Sequence, residues 1–526
     1  ASVETILFSI NGGIMALNHI GQISQSSGRL YGDKTALIIG EKQFSFLEID
    51  RMACCVANGL KSVGVQPGDR VTLYSQNCWE WVVSYYGIGK TGAVVNPINV
   101  MLTSEEVKFI VNDNGAKAVI ASTDKGEPLL DLRGSTDLRE VVLYGDDVPQ
   151  GATAFEDWLH SGKETFEVIQ RERKDLAAIC YTSGTTGHPK GAMQSHGNIL
   201  GSAEGTALMT VRTVHDVLVN SLPLPHVYGS CVLNSSFMYG MTLVILPKFE
   251  EEAVLGAIEQ HQATILDGVP TAYYYLLAHP RFEEYDLSSL IRSTVGGQTL
   301  PAAKSLEWEE RVTTPVLELW GMTELSGAAT GNPFYGINKP GTIGPVFPGC
   351  EVRIVAVDDP EQVLLPGESG EMMFRGPLVM PGYYGNEEAS KEAFESGGWL
   401  HTGDIASVDE EGYYTIVDRM KDMILTAGYN IYPAELERVI CAHPSVALAA
   451  VGRIQDTAKG ELAKAFVVLK PGKDATGVEI AGFCRERLAA YKVPRAIQFV
   501  EAVPQTSSGK IMRRLLSEID DGSQSV

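Results

Sequence analysis

Positive charge is scarce in this chain of 526 residues: 42 Lys and Arg stand against 65 Asp and Glu, for a formal charge of −23. A surface of that sign repels a phosphate backbone and excludes nucleic acid as a bulk partner. It still allows a small anionic ligand in a local pocket of lysines and backbone amides. Paired cysteines are absent as well. Of the eight, Cys54 and Cys55 are adjacent and the others scattered, with no CxxC. That pattern fits buried thiols in a reducing compartment and gives no support for a catalytic thiol. Long apolar runs are missing too. The longest uncharged stretch, residues 227–247, is broken by Asn234, Ser235, Ser236 and Gly240. It reads as a helix followed by the strand MTLVIL, not as a membrane span, and no integral membrane association is expected. The opening ILFSINGGIMALNHIG follows Glu4, has no basic run and contains two adjacent glycines, so it is not read as a signal peptide. The final Gln-Ser-Val is not a peroxisomal tripeptide, and a cytoplasmic location is expected. No internal repeat or low-complexity tract is visible.

What is present is a globular composition, 44% apolar, on a chain too long for one core, so two or more domains are expected. Ser45 and Glu48 form a capping box ahead of a helical run to about Lys61, followed by Gly64, PGD and the strand VTLYS. The alternation recurs in the helix TSEEVKFIVNDNG before the strand AKAVIAS, and in VLGAIEQHQ before ATILDGV. Helices between short apolar strands predict α/β layers with largely parallel sheets. From about Gly341 the texture shifts to short strands and Gly/Pro turns, as in PGCEVRIVAV, PGESGEMMFRG and GYYTIVDR, a β subdomain over about 341–418. After Arg419 come KAFVVLK, a helix over IAGFCRERLAAY and the strand AIQFV. The expected division is a large α/β domain over 1–420 and a small α+β domain over 421–526.

One loop carries chemistry. YTSGTTGHPKG, Tyr181 to Gly191, follows the apolar run LAAIC and sets the hydroxyls of Thr182, Ser183, Thr185 and Thr186 among Gly184 and Gly187, with Lys190 at its end. Amides, hydroxyls and a cation suit phosphate oxygens. The pattern is not Walker A, because Pro189 precedes the lysine and Gly191 follows it. We read the segment as neither helix nor strand.

YTSGTTGHPKG resembles the phosphate loop of the adenylate-forming superfamily, which comprises acyl-CoA and aryl-CoA synthetases, adenylation domains of peptide synthetases and beetle luciferases. ELWGMTE (318–324), GWLHTGD (398–404), DRMKDMILTAGYNIYPAELE (418–437) and SSGKIMRR (507–514) follow in that family's order and spacing and cover most of the chain. The resemblance implies a carboxylic acid as partner, with ATP, Mg²⁺ and coenzyme A. The acid's carboxylate attacks the α-phosphate of ATP, pyrophosphate leaves, and the acyl adenylate passes its acyl group to a thiol. Alignment and stabilisation of charge at phosphorus would be the main catalytic tasks.

By resemblance the loop wraps the β- and γ-phosphates, Thr323 contacts the phosphate region and Glu324 holds Mg²⁺, a hard cation suited to carboxylate oxygen. Trp320, Gly321 and Met322 would lie against adenine, with Trp320 where most relatives carry tyrosine. Gly296, Gly297 and Gln298 of GGQTLP would form the adenine wall. Asp404 and Arg419 are implied at the ribose. Lys510 would reach the α-phosphate and the carboxylate during adenylation. Lys421 would be the hinge about which the small domain rotates, bringing Gly428 and Tyr429 to the pantetheine path. His226 would sit beside the acid's carboxylate as a gate, with Pro225 replacing the aromatic often found before it.

The expected acid-pocket wall collects His226, Val227, Tyr228, Gly229, Met238, Val269, Pro270, Gly296, Gly297, Trp320, Gly321, Met322 and Leu325, apolar or aromatic with glycines that leave room. No Lys or Arg in these segments pairs a second carboxylate, which weighs against a dicarboxylate. A medium- or long-chain fatty acid and an aryl acid of the hydroxycinnamate or benzoate kind both stay open. Free CoA is the favoured acceptor, since no carrier-protein domain follows, against a stand-alone enzyme loading a separate carrier; the motifs do not separate either from a luciferase. A non-catalytic nucleotide binder would have no use for Lys510 or a hinge. A monomer or homodimer is expected.

Overall fold

The computed structural model describes residues 17–182, 189–426, 429–456, 460–506 and 511–520. Its architecture is the layered α/β class expected. One seven-stranded sheet runs in the order 153–154, 140–144, 118–122, 70–74, 94–97, 176–182, 190–195 and is parallel until its last pair. A second, eight-stranded sheet runs 327–331, 316–322, 292–295, 265–268, 217–220, 242–245, 35–39, 42–45, with antiparallel pairs at its two ends only. Strands buried on both faces account for runs such as Val217–Asn220 and Ile265–Gly268.

Local signals place the helices. Ser45 and Glu48 make the reciprocal capping box, and the helix Phe46–Ser62 buries Ile49, Ala53, Val56 and Leu60 along one stripe. The three large side chains of that stripe contribute roughly 1.5–3 kcal/mol each through burial. Gly59 lies so close to Trp158 that a Cβ would come within 2.2 Å of the indole. Thr103 and Glu106 repeat the capping device ahead of Ser104–Asp113. The uncharged stretch after His226 is the helix Val227–Met238 followed by the strand Thr242–Ile245, as read. Among the described residues no helix is long and apolar enough to cross a membrane.

A six-stranded antiparallel sheet spans 351–419, and past the short turn Met420–Asp422 a five-stranded sheet is built from 424–426, 429–431, 446–456, 460–469 and 496–499. Its helix Pro433–Cys441 packs into the same apolar cluster as Tyr274 and Trp308 of the eight-stranded sheet's helices. Two expectations are corrected. The helix read over IAGFCRERLAAY runs instead from Gly477 to Arg485, because Thr476 and Glu479 form a capping box that starts it earlier. The ends of YTSGTTGHPKG are strand: Thr182 pairs with Lys190 and Tyr181 with Gly191, so the segment closes a hairpin between 176–182 and 190–195.

Candidate active site

Four neighbouring strands of the eight-stranded sheet, 316–322, 292–295, 265–268 and 217–220, are parallel. Their carboxyl ends therefore open on one edge, where α/β sheets bind ligands. At that edge the chain delivers Met322–Thr323–Glu324, Gly296–Gly297–Gln298, Val269–Pro270 and the turn leading to His226. The antiparallel sheet supplies the other half. Its strands Trp399–Val408 and Tyr414–Arg419 pair with Asp404 directly opposite Arg419.

Asp404 is buried, and its two oxygens are held differently. Trp320 Nε1 donates to Oδ2 at 2.8 Å. Arg419 Nε lies 3.1 Å from Oδ1 but out of hydrogen-bond alignment, which leaves Oδ1 without a hydrogen-bond partner among the described residues. The Asp404 carboxylate is the main cause that lifts Arg419 above the usual guanidinium range, against the cost of burial. The turn before Asp404 is rigid: Thr402 donates to the carbonyl of Met372, and Glu371 accepts from the Gly403 amide and faces His401 at 3.0 Å. Lys421 follows closely, its ammonium lowered by burial and by Arg419.

Glu324 sits on the turn Thr323–Leu325. Tyr383 donates its phenol proton to Glu324 Oε1 at 2.8 Å, and the ammonium of Lys190 stands 5.4 Å above the same ring. One tyrosine thus joins the carboxylate to the hairpin's cation. Burial, then Glu324, raise the Tyr383 phenol well above its ordinary range, so it stays a donor. The turn is pinned further: Gln194 Nε2 donates to the Thr323 carbonyl, and the Met380 amide to that of Glu324. Sequence reasoning passed over Tyr383 and Gln194. The signal for Tyr383 was the turn PGYYGN, two aromatics between glycines; nothing marked Gln194.

Gln298 Oε1 accepts from the amide of Ile511, the residue after Lys510, and Gln505 Nε2 donates to Tyr275. The small domain's last segment therefore docks on GGQ. Within 421–526, Arg513 bridges Asp422 and Glu437. Across the 420–422 turn, Asp418 accepts from the Ala434 amide at 2.8 Å, in the first turn of Pro433–Cys441, and burial pushes its carboxyl up to about 6. Lys510, Gly428 and Ser183, Gly184, Thr185, Thr186 and Gly187 lie outside the described residues. Thr182 lies at the hairpin's end, with its hydroxyl 3.4 Å from the Lys190 carbonyl. Tyr429 opens the strand Tyr429–Ile431 and pairs with Thr426.

The acid-pocket expectation needs correction in two respects. Met238 ends the helix that His226 begins, twelve residues on, roughly 18 Å away at 1.5 Å per residue. Its carbonyl there accepts from Tyr31, so it lies apart from the other wall residues. Nor do two of the glycines there leave room: a Cβ on Gly229 would fall 2.2 Å from the Pro223 carbonyl oxygen, and one on Gly321 would fall 1.8 Å from that of Gly327. They are required for backbone contact. The rest converge. Gly296 lies over Tyr228, where a Cβ would stand 3.1 Å from Cε1 of the ring, and Val269 borders Gly297. His226 Nδ1 accepts the Tyr228 amide and caps its own helix.

Beneath Tyr228 runs a buried polar chain. Its hydroxyl bonds Thr294 at 2.7 Å, Thr294 bonds Asp267, and Asp267 pairs with the fully buried Arg212 at 2.7 Å. Arg292 is likewise paired with Asp216 at 2.6 Å.

Residues 25–384 match the AMP-binding enzyme family and residues 435–510 the AMP-binding enzyme C-terminal domain. The chain is 34% identical to a long-chain-fatty-acid–CoA ligase of Bacillus subtilis (strain 168), covering 94% of this chain and 93% of that one. It is also 34% identical to a feruloyl-CoA synthase of Amycolatopsis sp, covering 92% and 96%. The crystal structure of the anthranilate CoA ligase AuaEII in complex with anthranoyl-AMP superposes with a TM-score of 0.90 at 31% identity, covering 95% and 97%. The chain belongs to the AMP-binding enzymes, in the CoA-ligase branch of the adenylate-forming superfamily. It is an AMP-forming acid–CoA ligase.

Proposed function

We propose that this enzyme activates an apolar monocarboxylic acid, a medium- or long-chain fatty acid or an aryl acid of the hydroxycinnamate kind, with ATP and transfers it to CoA. The carrying observation is the pairing of Arg212 with Asp267 and of Arg292 with Asp216. Arg212, linked to Tyr228 through Asp267 and Thr294, is neutralised by its pair, and Arg292 is paired at the amino end of its strand, so neither offers a second carboxylate a partner. The wall itself is the Tyr228 ring with Val227, Val269 and Leu325. Relatives named for a fatty acid and for ferulate support this class, against one at 35% identity named for 2-succinylbenzoate.

In this reading the hairpin tip with Thr182 and Lys190 faces the β- and γ-phosphates. Trp320 and Gly296–Gln298 take adenine. Asp404 accepts the ribose hydroxyls beside Arg419. Glu324 fits Mg²⁺: it offers a hard oxygen already oriented by Tyr383, and no group of three His, Cys, Asp or Glu side chains is placed to hold a metal among the described residues. The ion would take its remaining ligands from phosphate and water and neutralise charge on the leaving pyrophosphate. Lys510 stabilises the charge that develops as the carboxylate oxygen bonds to the α-phosphorus and the bond to pyrophosphate breaks. Lys421 divides 1–420 from 421–526 as the hinge. After rotation about it, Gly428 and Tyr429 line the approach of the CoA thiol, which attacks the acyl carbonyl and releases AMP.

Acid-dependent exchange of label between pyrophosphate and ATP, run over fatty and aryl acids with malonate as a dicarboxylate control, tests the reading. Exchange with apolar acids and none with malonate is expected, followed by CoA-dependent AMP release with a detectable thioester. Transfer to a carrier protein but not to CoA would favour a carrier-loading enzyme. Lys510→Ala lowers exchange by orders of magnitude and spares thioester formation from preformed adenylate; unchanged exchange removes Lys510 from the reaction.

A further inference from the structure

Resting on the assignment of Asp404 to the ribose, we propose that Trp320 is a positioning residue that couples sugar recognition to base recognition through its indole N–H. Three observations meet here. Trp320 Nε1 donates to Asp404 Oδ2 at 2.8 Å within a buried site. The opposite oxygen, Oδ1, has no hydrogen-bond partner among the described residues although it is sealed from water, with Arg419 Nε 3.1 Å away and misaligned. Thirdly, the strand register sets Asp404 directly opposite Arg419, so the acceptor and the cation share one place on the sheet.

A buried carboxylate oxygen without a donor is costly unless a ligand completes it. The two ribose hydroxyls are donors of the right kind. An indole N–H can only donate, so it fixes which oxygen faces the protein and which faces the sugar. A phenylalanine at 320 keeps an aromatic surface and lacks the donor. A tyrosine has its donor at the far tip of the ring and cannot reproduce the geometry of a fused indole nitrogen. In this chain, then, one side chain supplies the face on which the base lies and the hydrogen bond that aims the ribose acceptor, and movement of either subsite is felt by the other.

The test uses the full-length enzyme and calorimetric binding of AMP, 2′-deoxy-AMP and 3′-deoxy-AMP to wild type, Trp320→Phe, Asp404→Asn and the double variant. Charge-assisted hydrogen bonds of this type correspond to about a tenfold change in an equilibrium. Trp320→Phe is expected to weaken AMP about tenfold and to shrink the preference for AMP over the deoxynucleotides toward that of Asp404→Asn. The double variant should bind no more weakly than Asp404→Asn, because the indole acts through the carboxylate. Retention of both affinity and ribose preference in Trp320→Phe, or multiplication of the two single effects in the double variant, overturns the coupling. If Asp404→Asn itself keeps the wild-type ribose preference, the ribose assignment fails instead. Should Trp320→Phe not fold, Trp320→Tyr carries the same comparison.

Discussion

Replacing Asp267 by Asn strands a charge in the core. Arg212 is fully buried and its guanidinium also reaches Ser235 and Thr210, so when Asp267 becomes neutral those two hydroxyls remain but no anion does. Breaking a buried pair from one side costs about 3–5 kcal/mol, because the orphaned ion keeps its desolvation penalty. For a cooperative unit of about 400 residues the unfolding entropy is roughly 0.8 kcal/mol per degree. The expected fall in Tm is then about 5 °C. Replacing both partners by apolar residues of similar volume, Arg212→Met with Asp267→Leu, removes the ion with its partner and should cost about 1 °C or less. Differential scanning calorimetry of the two singles and the double measures the coupling. Thr294 and Tyr228 hang from Asp267, so the KM for the acid should rise in Asp267→Asn while that for ATP holds. A double variant as unstable as the single, or a single within a degree of wild type, would refute the view that these charges are held only by each other.

Tyr383→Phe removes the donor on Glu324 and leaves the ring under Lys190; the magnesium concentration for half-maximal exchange should rise about tenfold, with Tm unchanged within a degree or two, as followed by metal titration and calorimetry. His19 and His196 are buried against each other with ring centroids 5.6 Å apart, and burial pulls their imidazoles down to about 4 and about 3. The unfolded chain binds their protons first, so stability is lost as pH falls below about 6.5; His19→Phe should flatten the acid limb of the Tm–pH curve between pH 6.5 and 4. Asp418 has the opposite sign. Its carboxyl is raised to about 6 by burial, so the stability it adds is present below about pH 4 and lost as pH rises through 6. Asp418→Asn, which still offers an oxygen to the Ala434 amide, should gain about 2 kcal/mol at pH 8 over its difference at pH 4. Equal pH profiles for variant and wild type would remove Asp418 as a titrating group.

Much of the fold was legible in local chemistry. The capping box at Ser45, the helix read over TSEEVKFIVNDNG and the shift to short strands past Gly341 each act within a few residues, and each held. The helix Gly477–Arg485 was misplaced because the apolar run was given more weight than the Thr476–Glu479 cap. The hairpin ends at Thr182 and Lys190 were missed because glycine and proline obscure pairing that depends on the partner strand. In the site, motif order named Asp404, Arg419, Trp320 and Glu324. It could not show that Trp320 holds Asp404, that Tyr383 joins Glu324 to Lys190, or that Met238 lies at the wrong end of its helix.

By itself the sequence determined the class of chemistry, because the motifs of an AMP-forming acid–CoA ligase are requirements on residue type and spacing. Only the tertiary structure decided which charges are available. Arg212, Arg292, Asp216 and Asp267 look alike on paper, and their mutual burial takes all four out of play. The strand register sets Asp404 opposite Arg419, and one of its carboxylate oxygens is buried there without a hydrogen-bond partner among the described residues. Charge is written in the chain, whereas its neutralisation depends on distances across 55 and 76 residues of sequence that only folding brings to hydrogen-bond range.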